Sequence, residues 1–234
     1  MRSILRAGLA ELGLDETKAE PLEAFAELVL EKNRVMNLTA ITDEADFARL
    51  HLLDSAALLN LAGLAAFDGK RVVDVGTGAG FPGVPLRILC PGVRMTLLDA
   101  TRKRVDFLRE ACAALELDGL TCVHARAEEF AAEERETFDL AVSRAVAALS
   151  VLCELCLPLV RVGGQFLAMK SAQSDAEIES AAHAIETLGG KLSRIADYTV
   201  PGSDVTHRLI VIDKIEQTPG KYPRAFSQMK KRPL

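Results

Sequence analysis

Tryptophan is absent from the 234 residues, tyrosine occurs twice, and no run of 18 apolar residues exists. Without such a run the chain has no segment of the kind that crosses a bilayer as a helix. The only apolar stretch near the start is interrupted by Glu11, Asp15 and Glu16, which does not match a secretory signal. Five cysteines, an odd number in a chain of this size, argue for reduced thiols and a cytoplasmic address. Cys153 and Cys156 form a single C-x-x-C on an apolar helical stretch. With no second pair they are expected in the core, and no metal is expected. The G-K-[ST] of a phosphate loop and the G-x-S-x-G of a hydrolase elbow are both missing.

What the chain does have is Val72-Val73-Asp74-Val75-Gly76-Thr77-Gly78-Ala79-Gly80-Phe81-Pro82-Gly83. An apolar β-branched run ends in an acid and then in alternating glycines, the pattern of a buried strand turning sharply into a helix. Met95-Thr96-Leu97-Leu98-Asp99 is a second strand ending in an acid. A glycine turn after one strand and a carboxylate at the tip of the next make a nucleoside site, because the carboxylate accepts both ribose hydroxyls. The order G-x-G-x-G departs from the G-x-G-x-x-G of dinucleotide folds, which counts against a dehydrogenase. The loop lacks Lys and Arg, and Asp74 precedes it. That suits a nucleoside with a cationic arm, such as S-adenosylmethionine, with Asp74, Gly76, Gly78, Gly80 and Asp99 as donor-site residues.

Residues 1–60 read as helical. Pro21 opens an amphipathic helix, Asn33 to Thr42 is a connector, and another helix starts near Asp43. On it Phe47, Leu50, Leu53 and Leu58 form a core stripe, while His51, Asp54 and Ser55 share one face. Three residues of one helix do not make a hydrolase triad. This face either covers a ligand pocket or forms a hydrogen-bonded polar seam. From Arg71 onward, strands near 71–75, 94–99, 120–124, 138–143, 164–169, 192–199 and 207–213 alternate with helices near 83–89, 102–116, 148–157 and 174–188. Gly163-Gly164 and Gly189-Gly190 read as turns before strands, and Thr101 as a helix cap. Such alternation implies a doubly wound, mainly parallel α/β sheet with ligands at the carboxyl ends of its strands.

Arg126-Ala127-Glu128-Glu129 after the third strand offers an amide and a carboxylate to bracket an adenine. Ser143-Arg144-Ala145 after the fourth falls on the acceptor side. Ser143-Arg144-Ala145-Val146 is not the Asn-Pro-Pro-Tyr or Asp-Pro-Pro-Tyr of enzymes that methylate exocyclic amines. Cytosine-C5 enzymes attack through a cysteine in a Pro-Cys or Thr-Cys context; the nearest candidates, Cys153 and Cys156 in Cys-Glu-Leu-Cys, are expected to be core thiols. An acceptor that needs no base is a ring nitrogen with a free lone pair, such as guanine N7, where proximity and alignment supply most of the catalysis. Net charge is −5, yet residues 214–234 carry six basic residues against Glu216. An acidic body with a basic tail permits nucleic-acid contact; a tail of this kind is otherwise expected to be solvated.

Along nearly its whole length the chain resembles the GidB/RsmG family, bacterial methyltransferases of 16S rRNA. The residues that carry the resemblance are Asn33-Arg34-Val35-Met36-Asn37-Leu38-Thr39-Ala40-Ile41, His51-Leu52-Leu53-Asp54-Ser55, Asp74 through Gly83 with its Phe-Pro-Gly ending, Ala127-Glu128-Glu129-Phe130, Ser143-Arg144-Ala145 and Ala168-Met169-Lys170. The resemblance implies a class I S-adenosylmethionine-dependent methyltransferase fold: a Rossmann-like, mainly parallel seven-stranded sheet. Its expected divisions are an N-terminal helical cap at 1–60, the methyltransferase domain at 61–214 and a basic tail at 215–234. It implies methylation of guanine N7 in the 530 loop, at guanine 527, of the 30S subunit's 16S rRNA by a cytoplasmic, monomeric enzyme. It puts Gly76, Phe81, Thr101, Arg102, Lys103, Ala127, Glu128 and Arg144 on the donor, and Lys103, Arg104, Arg126 and Lys170 on RNA. The catalytic centre is expected at Arg144, Asn37, His51 and Asp54. The chain departs from the family at Lys32, where Trp is common, and in the tail after Arg224, which lacks the usual Lys. The rival readings are a methyltransferase of small molecules and a non-catalytic RNA-binding module. Replacing Gly76 by Asp fills the turn and adds a charge, so donor binding is expected to be abolished; unchanged calorimetric titration would contradict the assignment.

Overall fold

In this computed structural model residues 1–144 and 147–234 are described. The helical N-terminal part comprises α1 (Arg2–Glu11), α2 (Ala19–Met36), α3 (Glu44–Phe47) and α4 (Asp54–Ala62). Helix α2 begins two residues before Pro21, which lies in its first turn, where a missing N–H costs nothing. Asn37 ends it in the left-handed conformation. The Asp43 carboxylate caps α3 through the amides of Ala45 and Asp46. Between α3 and α4, residues Ala48–Leu53 form a wide π turn, and such turns recur at functional sites.

The sheet follows: β1 (Arg71–Val75), β2 (Arg94–Asp99), β3 (Leu120–His124), β4 (Phe138–Arg144), β5 (Val160–Ser171), β6 (Gly190–Thr199) and β7 (Thr206–Lys214). Its helices are α5 (Gly83–Leu89), α6 (Arg102–Ala114), α7 (Ala127–Glu133), α8 (Leu149–Cys156) and α9 (Asp175–Thr187), with α10 (Phe226–Lys231) in the tail. The strand order is β3-β2-β1-β4-β5-β7-β6, and β7 runs antiparallel to both of its neighbours. The order reverses between β1 and β4, so the crevice for a ligand opens at their carboxyl ends. Register brings the two ends level, with Asp74 paired to both Leu97 and Val142.

Alternation along the buried strands divides the core into two layers. On one face Val72, Leu97, Val142, Leu167 and Leu209 pack with Leu5, Leu22, Phe25, Phe47 and Leu52, so the N-terminal helices share the core of the sheet. On the other face Val73, Val75, Ala141, Phe166 and Ile210 pack with α8, α9 and Met229 of the tail. Cys153 and Cys156 are buried here on α8, and burial pushes both thiols up, as suits core thiols.

Three local expectations are corrected. Gly163 and Gly164 lie inside β5 and do not form a turn before it. A Cβ on Gly164 would sit 2.4 Å from the Asp139 carbonyl, so the glycine admits the close approach to β4 where the register shifts. Thr101 stands at the cap position of α6 without a side-chain cap bond; its amide instead donates to Asp99. The residues after β3 coil into α7, a helix too short to show a clear period.

Gly80 tests how tightly the loop is seated. Its φ of +103° disfavours a side chain, and a Cβ there would meet Val84, Leu108 and Phe25 within 3.0 Å. Gly80→Ala is expected to lower stability by about 2–3 kcal/mol, read as a reduced urea midpoint at unchanged slope.

Candidate functional site

The glycine loop leaves β1 and is stitched to β2 by the amides of Gly76 and Thr77 on the Leu98 carbonyl. Asp74 holds the loop from behind, its Oδ2 accepting from Thr77 Oγ1 at 2.7 Å and from the Gly83 amide at 2.8 Å. Burial raises this carboxyl to about 6 despite those bonds. Its Oδ1 is buried without a partner. Gly76, Thr77, Gly78, Ala79 and Phe81 line a cavity of about 610 Å³, and Asp74 and Gly80 stand behind it. Gly78 has a φ of +59°, and a Cβ there would meet almost nothing, so its missing side chain leaves space for a ligand.

Asp99 ends β2 at the same cavity. Its oxygens accept from the amides of Gly78 and Thr101, and Arg104 approaches to 3.7 Å. Thr101 and Arg104 line the cavity, while Arg102 and Lys103 are exposed beyond it. Arg104, expected on RNA, therefore stands beside the acid expected to hold a ribose. A narrower slot of about 170 Å³ continues from Gly76 and Asp99 between Ala100, Ala127, Leu155 and Phe226, with Glu128 and Arg126 at its edge. Apolar walls with a carboxylate at either end, Asp99 and Glu128, suit a flat purine and its ribose.

At the end of β4, Arg144 is fixed from three sides. It donates to the Leu50 carbonyl at 3.0 Å, to Asp54 Oδ2 at 2.9 Å and to His51 Nδ1 at 2.9 Å. Its guanidinium also lies 5.3 Å from the Phe81 ring centroid. An arginine can only donate, so His51 Nδ1 carries no proton and Nε2 donates to Thr39 Oγ1 at 2.7 Å. Burial, with the Arg144 charge added, pushes His51 down to about 3. The neutral ring stacks on Phe81 with centroids 4.7 Å apart. Asp54 is fully buried and also accepts from Tyr198 and His207 at 2.7 and 2.8 Å. Burial acts to raise its pKa, but His207 and Arg144 outweigh that and hold it below the ordinary range. His51 and Arg144 line the glycine-loop cavity and also a second one, of about 530 Å³, bounded by Asp54, Lys170, Glu177 and His207.

The other expected residues are placed as follows. Ser55 leaves the polar face and donates to the His51 carbonyl at 2.6 Å. Asn37 ends α2 at the surface, and the next residues, Leu38 and Thr39, reach the cavity. Leu50, expected in a core stripe, is half-buried at the second cavity. Lys103 and Arg126 are exposed. Lys170 is largely buried and committed to Glu177 and the Ala147 carbonyl. Of the segment Ser143-Arg144-Ala145-Val146, the last two lie outside the described residues, and Ser143 bonds the Val75 carbonyl. Tyr198, His207 and Phe226 join the site without a motif of their own, and Thr39 joins it from the Asn33–Ile41 segment, where no role was expected of it. Only the pairing of β6 with β7, which sets Tyr198 opposite His207, brings two of them together.

The tail is ordered, against expectation. Arg135 donates to the carbonyls of Thr218, Pro219 and Tyr222. The buried Lys214 bonds Glu136, Thr218 and two carbonyls. Arg224 grips the buried Glu154 through two guanidinium bonds and its amide. Of the six cations from Lys214 onward, two, Lys214 at the end of β7 and Arg224 in the tail, are thereby consumed inside the fold.

Comparison with known proteins gives a consistent result. Residues 18–204 match the family model described as GidB, rRNA small subunit methyltransferase G. A protein of Alkaliphilus metalliredigens named ribosomal RNA small subunit methyltransferase G is 46% identical, over 100% of this chain and 98% of its own. One of the same name from Acetivibrio thermocellus is 42% identical, over 100% and 97%. Among solved structures, TrmN from Thermus thermophilus is similar with a TM-score of 0.54 and 24% identity, over 69% of this chain and 48% of its own. M. jannaschii TYW2, solved in complex with AdoMet, gives 0.55 and 14% identity, over 70% and 76%. At these identities the solved structures bear on the fold alone, and they share it. Among the described residues no helix is long and apolar enough to cross a membrane.

His51 provides a test by pH. With its pKa depressed from 6.5 to about 3, the folded state binds fewer protons than the unfolded one between those values. Its contribution to stability is complete above the unfolded value and is lost as pH falls toward 3. Nitrogen NMR is expected to show His51 neutral, protonated at Nε2, from pH 8 down to about 4. A protonation midpoint near 6.5 would contradict the arrangement.

Proposed function

Because the chain belongs to the rRNA small subunit methyltransferase G family, we propose that it moves a methyl group from S-adenosylmethionine to guanine N7 at position 527, in the 530 loop of 16S rRNA. The residues present fit the donor. The slot between Ala100, Ala127 and Leu155 accepts an adenine, Asp99 the ribose hydroxyls, and the open side of Gly76 and Gly78 the amino-acid arm. Asp74 Oδ1, buried and unpaired behind the loop, contributes negative potential there. When bound, the donor supplies an electrophilic methyl group on a sulfonium. The new N–C bond forms as the C–S bond breaks, and the positive charge passes from sulfur to the purine.

The observation that carries this reading is the partition between the two cavities. An acceptor bearing a proton would need a group to take it. At the partition itself, both nitrogens of His51 are engaged, Arg144 has no acceptor and Asp54 already accepts from three donors; His207, its Nδ1 on Asp54, lines the second cavity but not the glycine-loop cavity. Guanine N7 has no proton to give up. Arg144, locked between Asp54, His51 and Phe81, acts by position and charge, and it orients the acceptor base in the second cavity. Arg102, Lys103 and Arg126, exposed at the edge of the donor site, and Lys230, Lys231 and Arg232 on and beside α10 supply phosphate contacts. The partner is the 30S subunit's rRNA, met in the cytoplasm by a single copy of the enzyme.

Labelled methyl transfer to 16S rRNA and to 30S subunits lacking the modification tests the proposal, with the product mapped by cleavage at N7-methylguanine. One labelled guanine in the 530 loop is expected; labelling of a small molecule without RNA would replace the reading. Arg144→Ala is expected to lower turnover by about 10²-fold or more with donor affinity kept within a few-fold. Near-wild-type turnover would remove Arg144 from the centre.

A further inference from the structure

The tail ends in a position that the methyl-transfer scheme does not use. After Lys214 the chain crosses the outer surface of the sheet's second layer, and Phe226, the first residue of α10, reaches the nucleoside end of the donor site. Phe226 is half-buried and borders both the narrow slot and the glycine-loop cavity. Ala100, Ala127 and Leu155 line the slot with it, and none of them is aromatic. Its amide donates to Glu128 Oε1 at 3.3 Å, so the tail also holds the carboxylate at the edge of the slot.

This placement is enforced from both sides. Upstream, Glu154 on α8 is buried, and its oxygens are taken by Arg224 at 2.8 and 2.6 Å and by the Arg224 amide at 2.8 Å. Releasing Arg224 would strand a buried carboxylate. Downstream, Met229 is fully buried against the same layer. Two anchors, five residues apart, leave Phe226 little freedom between them. An aromatic ring preset beside a purine slot contributes stacking without an ordering cost at binding.

We propose that the C-terminal segment is a fixed wall of the donor site, with Phe226 as a positioning residue that holds the adenine of the donor and the Arg224–Glu154 pair as its latch. The ring touches the nucleoside and not the reacting methyl group. Its removal therefore weakens ground state and transition state alike.

The test is calorimetric titration of the full chain with S-adenosylhomocysteine, which needs no RNA and stands whether or not the acceptor is guanine N7. Phe226→Ala is expected to raise Kd by about tenfold with the thermal midpoint kept. Phe226→Tyr is expected to restore binding to within about twofold. In steady-state transfer the alanine variant raises KM for the donor and leaves kcat unchanged, the signature of lost uniform binding. Arg224→Lys, which keeps the charge but not the two-pronged grip, is expected to raise Kd in the same direction, by less than Phe226→Ala. A Kd for Phe226→Ala within twofold of the parent would overturn the proposal. So would a loss of affinity that Phe226→Tyr does not restore, or one that follows a fall in thermal midpoint.

Discussion

One buried carboxylate organises the centre of this molecule. Asp54 accepts from Arg144 on β4, Tyr198 on β6 and His207 on β7, and it opens α4 immediately after the π turn. An unpaired carboxylate at that depth would cost several kcal/mol. The N-terminal helices, the switch point of the sheet and its antiparallel edge are therefore held in one relative position by the need to satisfy it. The π turn places the Leu50 carbonyl and the His51 ring beside the same guanidinium. Arg144 is thus positioned by a network whose members come from four separate stretches of chain.

The second buried acid shows how partners decide ionisation. Asp74 and Asp54 are both fully buried, yet Asp74 is raised to about 6 while Asp54 is held below its ordinary range. Asp54 faces an arginine at 2.9 Å and a histidine at 2.8 Å. Asp74 has one hydroxyl and one amide on a single oxygen, and the other oxygen is bare. A guanidinium repays desolvation where neutral donors only reduce it. The bare oxygen behind the glycine loop is tolerable at a site whose task is to receive a cationic ligand. The loop is thereby built for a donor that brings its own positive charge.

The fold was legible because its signals are local. Six of the seven strands carry a short apolar run, β6 being mostly polar and exposed, and the carboxyl-end position of Gly76, Asp99 and Arg144 followed from βα alternation alone. Failures occurred where a glycine served packing, as in Gly163-Gly164 within β5, or where a helix was too short to show a period, as in α7. The donor loop was legible as a whole but not glycine by glycine. Gly76 and Gly78 face the cavity, whereas Gly80 admits α2, α5 and α6 behind it. His51 and Asp54 stood out as polar residues on one helical face. Their true partners, Thr39, Tyr198 and His207, are set by tertiary pairing across more than a hundred residues in two cases, and no spacing rule reports that.

The tail shows the same limit in electrostatic terms. Its basic residues looked alike in sequence, and composition alone suggests a solvated arm for phosphates. Burial separates them: Lys214 and Arg224 meet Glu136 and Glu154 inside the fold, while Lys221, Lys230, Lys231 and Arg232 are exposed. A charge count cannot distinguish a cation that binds RNA from one that latches the chain, because the difference lies in a carboxylate seventy or more residues away. With the latch closed, the exposed cations at the chain end are carried on a segment docked against the donor site. Exposed cations and the ring that borders the narrow slot thereby fall on the same short stretch of backbone.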